Sequence, residues 1–202
     1  MKSTDNFNFL DIVIAYFRFR KLKKYVNVND TLLDFGCGYQ AFFLKNIASG
    51  IKLGIGVDAH IQPQKIGKNV SLLKYKFKNH LPFNNRYFDK VFMLAVLEHI
   101  ELSKIDALFK EVNRVLKPKG TLVLTTPTTK SKDILEFLAF KVGIISKDEV
   151  GDHKKYYKRS DVESICETTG FRIVRYENFM LGMNSFYVLK KLVQYDKTYQ
   201  EL

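Results

Sequence analysis

The chain has little cysteine, and its cysteines and histidines are widely spaced. Its 202 residues include only two cysteines, Cys37 and Cys166, which are too few for a disulfide framework. Histidine occurs at positions 60, 80, 99 and 153, without any H-x-x-x-H pair. We therefore predict a reduced protein without a metal centre.

Long apolar runs are also missing. A helix that spans a bilayer needs ~20 consecutive apolar residues, and no run in this chain approaches that length. The first ten residues, MKSTDNFNFL, lack the charged start and apolar core of a secretory signal. We therefore expect a cytoplasmic protein.

Acidic residues are outnumbered by basic ones. The chain has 33 lysines and arginines against 21 aspartates and glutamates, which gives a net charge of +12. Such an excess is typical of proteins with an acidic partner, such as nucleic acid, anionic lipid or a phosphorylated substrate. Because the lysines are spread along the chain, a solvated basic surface is the simpler interpretation.

The N-terminal segment predicts an amphipathic helix within residues 1–27. Apolar residues recur at helical spacing from position 9 to position 17, and a basic cluster follows at positions 18–24. We expect this helix to pack on its own domain as a lid or edge helix. A weak contact of residues 9–24 with a membrane surface is the alternative.

Strand-like and helix-like segments then alternate, which predicts an α/β fold with a doubly wound, mostly parallel sheet. The tail differs, because a helix at 160–169, capped by Gly170, precedes two strands with no helix between them. We predict one domain over residues 1–202 and a seven-stranded, Rossmann-like sheet whose last strand is reversed. Residues 128–159 form a predicted insertion over the acceptor side, with an apolar cap at 134–145. The other predicted strands are 31–35, 52–57, 71–77, 90–96 and 121–125, with helices at 41–48 and 104–116.

The stretch LLDFGCGYQAFFL, at residues 32–44, places a glycine-rich turn after the first strand. Its glycines and Ala41 fit the dinucleotide fingerprint G-x-G-x-x-G/A. Asp34 opposes that interpretation, because a carboxylate just before the turn would repel an anionic pyrophosphate. Asp58 ends the second strand twenty residues after Gly38. A dinucleotide-binding fold would use such an acid to accept from the ribose hydroxyls.

Further motifs follow in a fixed order: LPFNNRYFD at 81–89, LEHI at 97–100, LKPKG at 116–120 and TLVLTTP at 121–127. From about residue 28 to 128 the chain resembles class I S-adenosylmethionine-dependent methyltransferases of the small-molecule type. The tail from GDHKKYYKRSDVESICETTGF onward resembles methyltransferases among cell-surface polysaccharide enzymes. The resemblance implies S-adenosyl-L-methionine as cofactor and methyl transfer as the reaction.

The resemblance also implies roles for individual residues. Asp34 would face the cofactor's α-amino group, and Asp58 would accept from both ribose hydroxyls. The chain departs from the family at Gln40, where a third glycine is usual, and at Phe77, where an acid that accepts from adenine is usual. Asn79 would replace that acid through its amide oxygen; alternatively, Leu81 and Phe83 would sandwich the adenine. The predicted cofactor-binding set is Asp34, Gly36, Cys37, Gly38, Asp58, Ala59, Asn79, Leu81, Ala95 and Val96.

The predicted acceptor is a small molecule, with a hydroxyl of a sugar or of a lipid or polysaccharide precursor as the methylated group. Such a hydroxyl needs a base, and His99 or His153 would serve because histidine titrates near neutrality. We interpret Glu98 as a pocket or capping group. Cys37 has no histidine nearby in sequence, and we do not expect a catalytic thiol.

Two other functions remain open. The basic charge suggests an RNA methyltransferase, but AVLE at 95–98 stands where an N/D-P-P-Y/F tetrapeptide would be expected, and we do not expect a nucleic-acid partner. An NAD(P)-dependent oxidoreductase would need a dyad such as Tyr-x-x-x-Lys on a helix. The only match, Tyr187 with Lys191, falls in a predicted strand.

Overall fold

The computed structural model describes residues 9–131 and 154–192, which build one eight-stranded sheet. The strand order is β3-β4-β2-β1-β5-β6-β8-β7. The strands are β1 Thr31–Phe35, β2 Leu53–Asp58, β3 Gln64–Ile66, β4 Val70–Lys74, β5 Phe88–Leu94, β6 Leu116–Pro127, β7 Phe171–Phe179 and β8 Asn184–Lys191. The α-helices are α1 Phe9–Leu22, α2 Phe42–Ile47, α3 Ile105–Val115 and α4 Arg159–Thr169.

The sheet is mostly parallel, as the alternating pattern predicts. Strands β4, β2, β1, β5 and β6 run in one direction. Strand β8 pairs antiparallel with β6, and β7 pairs antiparallel with β8, which confirms the reversed last strand. The predicted number of seven strands is wrong by one, because β3 adds a short antiparallel edge beside β4. Its sequence, QKI, is too short and too polar to show a strand period.

The strand β6 begins earlier than the sequence predicts. Pro118 and Gly120 indicate a turn between α3 and the strand, yet Leu116 already pairs with Phe88 of β5. The pairing shifts register between Phe88 and Lys90, which accommodates the KPKG segment as an irregular part of the strand. Pairing with a neighbouring strand therefore overrides local turn chemistry here.

Two apolar cores cover the two faces of the sheet. Within β1, Leu33 belongs to the core that α3 and α4 share, whereas Leu32 belongs to the core on the side of α1 and α2. Both side chains are fully buried. Successive strand residues point to opposite faces, so all five residues of β1 are buried because helices cover both sides.

The helix α1 packs on the rest of the protein through its C-terminal half. Leu22 is fully buried, and the Phe19 ring meets Phe42 of α2 edge-on with centroids 6.2 Å apart. Tyr16 and Phe17 lie on the exposed side of the same helix. No helix in residues 9–131 and 154–192 combines the length and apolarity needed to cross a bilayer. The cytoplasmic location stays a prediction.

Candidate active site

The carboxyl ends of the parallel strands meet at one cavity of about 910 Å³. The cavity lies where the strand order changes direction, between β1 and β5, which is where open α/β sheets bind ligands. Residues of α1 and of the turn between β7 and β8 close its other side. Its volume is near the upper end of the ~300–1,000 Å³ range of small-molecule pockets.

Gly36 opens the turn after β1, in contact with the loop after β5. Its φ is 77°, and a Cβ at this position would lie 2.4 Å from Cγ2 of Val96. The N–H groups of Gly36 and Cys37 both donate to the carbonyl of Val57, at 2.8 and 3.2 Å. A side chain is therefore excluded here, and the turn is tied to the end of β2.

The carboxylate of Asp58 fixes the second half of this turn. One oxygen accepts from the N–H of Gly38 at 3.1 Å, and the other accepts from the N–H of His60 at 2.8 Å. Gly38 has a φ of 69°, and a Cβ there would meet no described atom within 4 Å. The turn therefore places the Asp58 carboxylate beside the backbone of Gly38, which no side chain covers. Ala59, predicted with Asp58, also lines the cavity.

Asp34 is a buried acidic residue in the cavity wall with one carboxylate oxygen unpaired among the described residues. It is 1% exposed, and among the described residues its Oδ1 atom has no hydrogen-bond partner. Burial, and then the nearby carboxylate of Asp58, raise the pKa of Asp34 to about 7. A buried carboxylate without a partner is costly, so this position is suited to a cationic ligand group.

Cys37 lies in the same turn but is not activated. Burial, followed by the charges of Asp34 and Asp58, raises the pKa of its thiol well above the ordinary value. Since the thiolate is the nucleophile of cysteine chemistry, this environment opposes a catalytic thiol.

Gln40 does not carry the backbone strain that a missing third glycine would suggest. The left-handed conformation falls one residue later, on Ala41, with a φ of 45°. Gln40 itself is exposed, whereas Ala41 is buried. The left-handed backbone conformation of the turn is therefore adopted by Ala41, a small residue, and α2 begins at Phe42.

The structure does not bring Asn79 or Leu81 to the cavity. Asn79 is exposed, and Leu81 is fully buried in the core with its N–H donating to Oε2 of Glu111 at 2.7 Å. Arg114 fixes this segment further, because it donates to the carbonyls of Leu81 and Phe83 at 2.9 and 2.8 Å. The strand β4 ends at Lys74, earlier than predicted, so that Tyr75, Lys76 and Phe77 line the cavity instead.

The loop after β5 supplies the opposite wall. Ala95, Val96, Glu98 and His99 line the cavity. Ala95 has a φ of 57°, and its N–H donates to the carbonyl of Thr125 at 2.9 Å. His99 therefore lies where the sequence predicts a base, whereas His153 and the predicted cap at 134–145 lie outside the described residues.

Glu98 is buried in this wall and is 1% exposed. Its Oε2 accepts from Oγ1 of Thr126 at 3.2 Å, and its carbonyl accepts from the N–H of Lys154 at 2.7 Å. Burial raises the pKa of Glu98 to about 7, although the charge of Arg18 acts in the opposite direction. Glu98 is thus a protonatable group inside the cavity, beyond the pocket or capping role expected from the sequence.

Several lining residues come from parts of the chain that the motifs do not mark. Arg18 of α1 donates to Oδ1 of Asn184 at 3.2 Å, which joins the N-terminal helix to the start of β8. Phe19, Met180 and Met183 also line the cavity. These residues come from α1 and from the segment between β7 and the start of β8, and only the fold brings the two segments together. The sequence marks α1 by its amphipathic pattern but gives no signal for the other segment. No cluster of His, Cys, Asp and Glu suited to a metal ion occurs among the described residues.

Comparisons with known proteins agree with this geometry. Residues 14–176 match the family described as a methyltransferase domain. An uncharacterised protein of Methanocaldococcus jannaschii is 29% identical over 202 aligned residues, which cover 94% of this chain and 79% of that protein. Cyclopropane-fatty-acyl-phospholipid synthase of Escherichia coli K12 is 28% identical over 110 residues, 51% of this chain but only 28% of that enzyme. The crystal structure of an S-adenosylmethionine-dependent methyltransferase of Methanosarcina mazei has a TM-score of 0.64 at 21% identity, over 86% of this chain and 98% of that one.

Proposed function

This chain belongs to the methyltransferase-domain family of class I S-adenosylmethionine-dependent enzymes. We propose that its cavity holds the cofactor beside β1 and β2. The same cavity holds a small-molecule acceptor beside α1. The methylated group is a hydroxyl, on a sugar or on a lipid-linked precursor. The cofactor supplies a methyl group already activated on a sulfonium, so the protein mainly has to align donor and acceptor.

The observation that carries this proposal is the buried carboxylate of Asp34. Its Oδ1 has no hydrogen-bond partner among the described residues, and it lies in the wall of the cavity. The α-ammonium group of the cofactor would provide the missing charge and donors. A dinucleotide pyrophosphate, in contrast, would bring further negative charge to a site that already holds Asp34 and Asp58.

The turn after β1 suits the rest of the cofactor. Gly36 and Gly38 expose backbone where a Cβ would intrude on a neighbour or on the open cavity. Asp58 is proposed to accept from the ribose hydroxyls, in addition to its bond from Gly38. Tyr75 and Phe77 provide aromatic surface at the adenine end, in place of Asn79 and Leu81.

The acceptor half of the cavity combines apolar walls with ionisable groups. Phe19, Met180 and Met183 line it together with His99 and Glu98. His99 is the proposed base, as expected from the sequence. An acceptor with an apolar portion and a hydroxyl fits this combination. The Escherichia coli relative is by name an enzyme of phospholipids, which supports a lipid-linked acceptor.

The test is a calorimetric titration of the purified protein with S-adenosylhomocysteine, with NADH and transfer RNA as parallel ligands. We expect micromolar binding of the first ligand and none of NADH. Asp34→Asn should weaken binding, whereas Asp106→Asn, an exposed aspartate on α3, should not. Binding of NADH alone would refute the proposal, and tight binding of RNA would move the acceptor from a small molecule to nucleic acid.

A further inference from the structure

Several large, solvent-exposed apolar side chains belong to the segments that form the wall of the cavity. Each one either lines the cavity or lies within two residues of a lining residue. Exposure ranges from about half to complete, with Phe17 at 49%, Tyr39 at 71% and Leu181 at 101%. We call this set the apolar rim; its members are Tyr16, Phe17, Tyr39, Leu102 and Leu181.

The turn between β7 and β8 holds Leu181 in this position. Met180 and Leu181 both have a positive φ, 52° and 57°, which is unfavourable for residues with a Cβ. The base of the turn is nevertheless fixed to the loop after β6. Thr128 donates from its N–H to the carbonyl of Met183 at 3.0 Å and from its hydroxyl to the carbonyl of Gly182 at 2.8 Å. An anchored, strained turn with a fully exposed leucine at its tip indicates a surface built for contact.

Lysines accompany the apolar rim. Lys104 donates to the exposed carboxylate of Glu101 at 2.7 Å. Its hydrogen bond and charge, with smaller contributions from Lys76 and Lys154, hold the pKa of Glu101 below its usual value. Three cations therefore surround one anion at the cavity mouth, in a chain whose net charge is +12.

We propose that this rim docks on an anionic lipid bilayer, so that a lipid-linked acceptor reaches the cavity from the membrane surface. Tyrosine and phenylalanine lie at the level of the headgroups, leucine is buried at the acyl boundary, and lysines meet the lipid phosphates. The lipid-linked nature of the acceptor rests on the proposed function, whereas the docking itself rests only on the rim.

The composition of the rim favours lipid over nucleic acid. Lysines and aromatic rings would also suit single-stranded RNA, on which rings stack against bases. Leu102 and Leu181, however, are aliphatic and exposed by 59% and 101%, and they would gain nothing from phosphate or a base edge. A second copy of this basic chain is disfavoured by charge repulsion between the two lysine clusters.

The experiment is flotation of the full-length protein with vesicles of phosphatidylcholine alone or mixed with phosphatidylglycerol. We expect the protein to float only with the anionic vesicles, and less of it at high salt because surface charge is screened. Leu181→Ser should lower the partition coefficient about tenfold or more, because a buried leucine side chain is lost. Lys76→Gln should lower it about fivefold, because one surface cation is lost.

The matched control is Val28→Ser. Val28 is 72% exposed and lies before β1, at the opposite edge of the sheet from the cavity, so its substitution should leave flotation unchanged. Failure of the wild-type protein to float, or an equal loss in Val28→Ser and Leu181→Ser, would overturn the proposal. So would transfer RNA binding that depends on the same rim residues.

Titration with S-adenosylhomocysteine separates this proposal from the function itself. Leu181→Ser should bind that ligand as the wild-type protein does, because the turn lies outside the proposed cofactor half. Normal ligand binding without flotation would overturn the docking surface alone. Flotation without ligand binding would instead count against the proposed function.

Discussion

Acidifying the solution should weaken the binding of S-adenosylhomocysteine, because a proton on Asp34 removes the charge that the ligand's α-ammonium group requires. The pKa of Asp34 is raised to about 7 by burial and by the Asp58 carboxylate. Near neutral pH about half of the free protein therefore carries the proton on this group, and binding must displace it.

The size of the effect follows from this pKa. If only the ionised form binds, the apparent Kd is proportional to 1 + 10^(pKa − pH). Between about pH 7 and about pH 5.5 this factor grows from about 2 to about 33, which is a loss of about 16-fold or about 1.6 kcal/mol. The ligand's own α-amino group lies beside a free carboxylate, which raises its pKa above that of a peptide N-terminus, so it stays protonated over this range. The change therefore reports on the protein.

Calorimetry in two buffers of different ionisation enthalpy measures both the affinity and the proton released. We expect release of about half a proton near pH 7 and nearly one near pH 5.5. Asp34→Asn should bind weakly with little pH dependence, whereas Asp106→Asn should reproduce the wild-type curve. An affinity that does not change with pH, or wild-type pH dependence in Asp34→Asn, would refute the assignment of Asp34 as the ligand's counter-charge.

Three further predictions concern the walls of the cavity and the core. Gly36→Ala should lower the free energy of unfolding by more than about 1 kcal/mol and abolish S-adenosylhomocysteine binding. The φ of Gly36 is 77°, and the Cβ of an alanine would lie 2.4 Å from Cγ2 of Val96. Thermal unfolding measures the first effect, and calorimetry measures the second. Glu98 has a folded-state pKa of about 7, above its ordinary value, so its contribution to stability is complete at acid pH and is lost as pH rises through 7. Glu98→Gln should therefore raise the melting temperature above neutral pH and have little effect near pH 4. Leu108→Ala, at a fully buried position of α3, should cost about 2–5 kcal/mol in urea unfolding.

Local sequence signals mark the residues that are proposed to hold the cofactor. The apolar run of β1, the glycine turn and Asp58 at the end of β2 lie within about 30 consecutive residues, and each has its own short-range signal. The structure places these groups around one cavity as expected. The prediction worked because strand ends in a parallel sheet converge at one edge whatever the loops do.

The wall beside α1 and the turn between β7 and β8 could not be found in this way, although the LEHI motif marks Glu98 and His99. Arg18 and Asn184 are 166 residues apart and meet only because α1 packs beside the start of β8. The position of Asn79 outside the cavity has a similar cause. Asn79 was placed by alignment with a motif, but β4 ends at Lys74 and Arg114 holds the following segment against the core. Contacts of long sequence separation set both outcomes, and no short window of sequence contains them.

The environment of Asp34 makes sense only if the site is used. Its unfolded-state pKa is about 3.9, and in the folded protein the value rises to about 7. The folded state therefore binds the proton more tightly, so the contribution of Asp34 to stability is complete below about pH 4 and is lost as pH rises through 7, by up to about 4 kcal/mol. An asparagine at this position would avoid that loss without changing the shape of the side chain. We infer that the carboxylate is kept for a cationic ligand group, and that ligand binding offsets the cost of ionising Asp34 near and above pH 7.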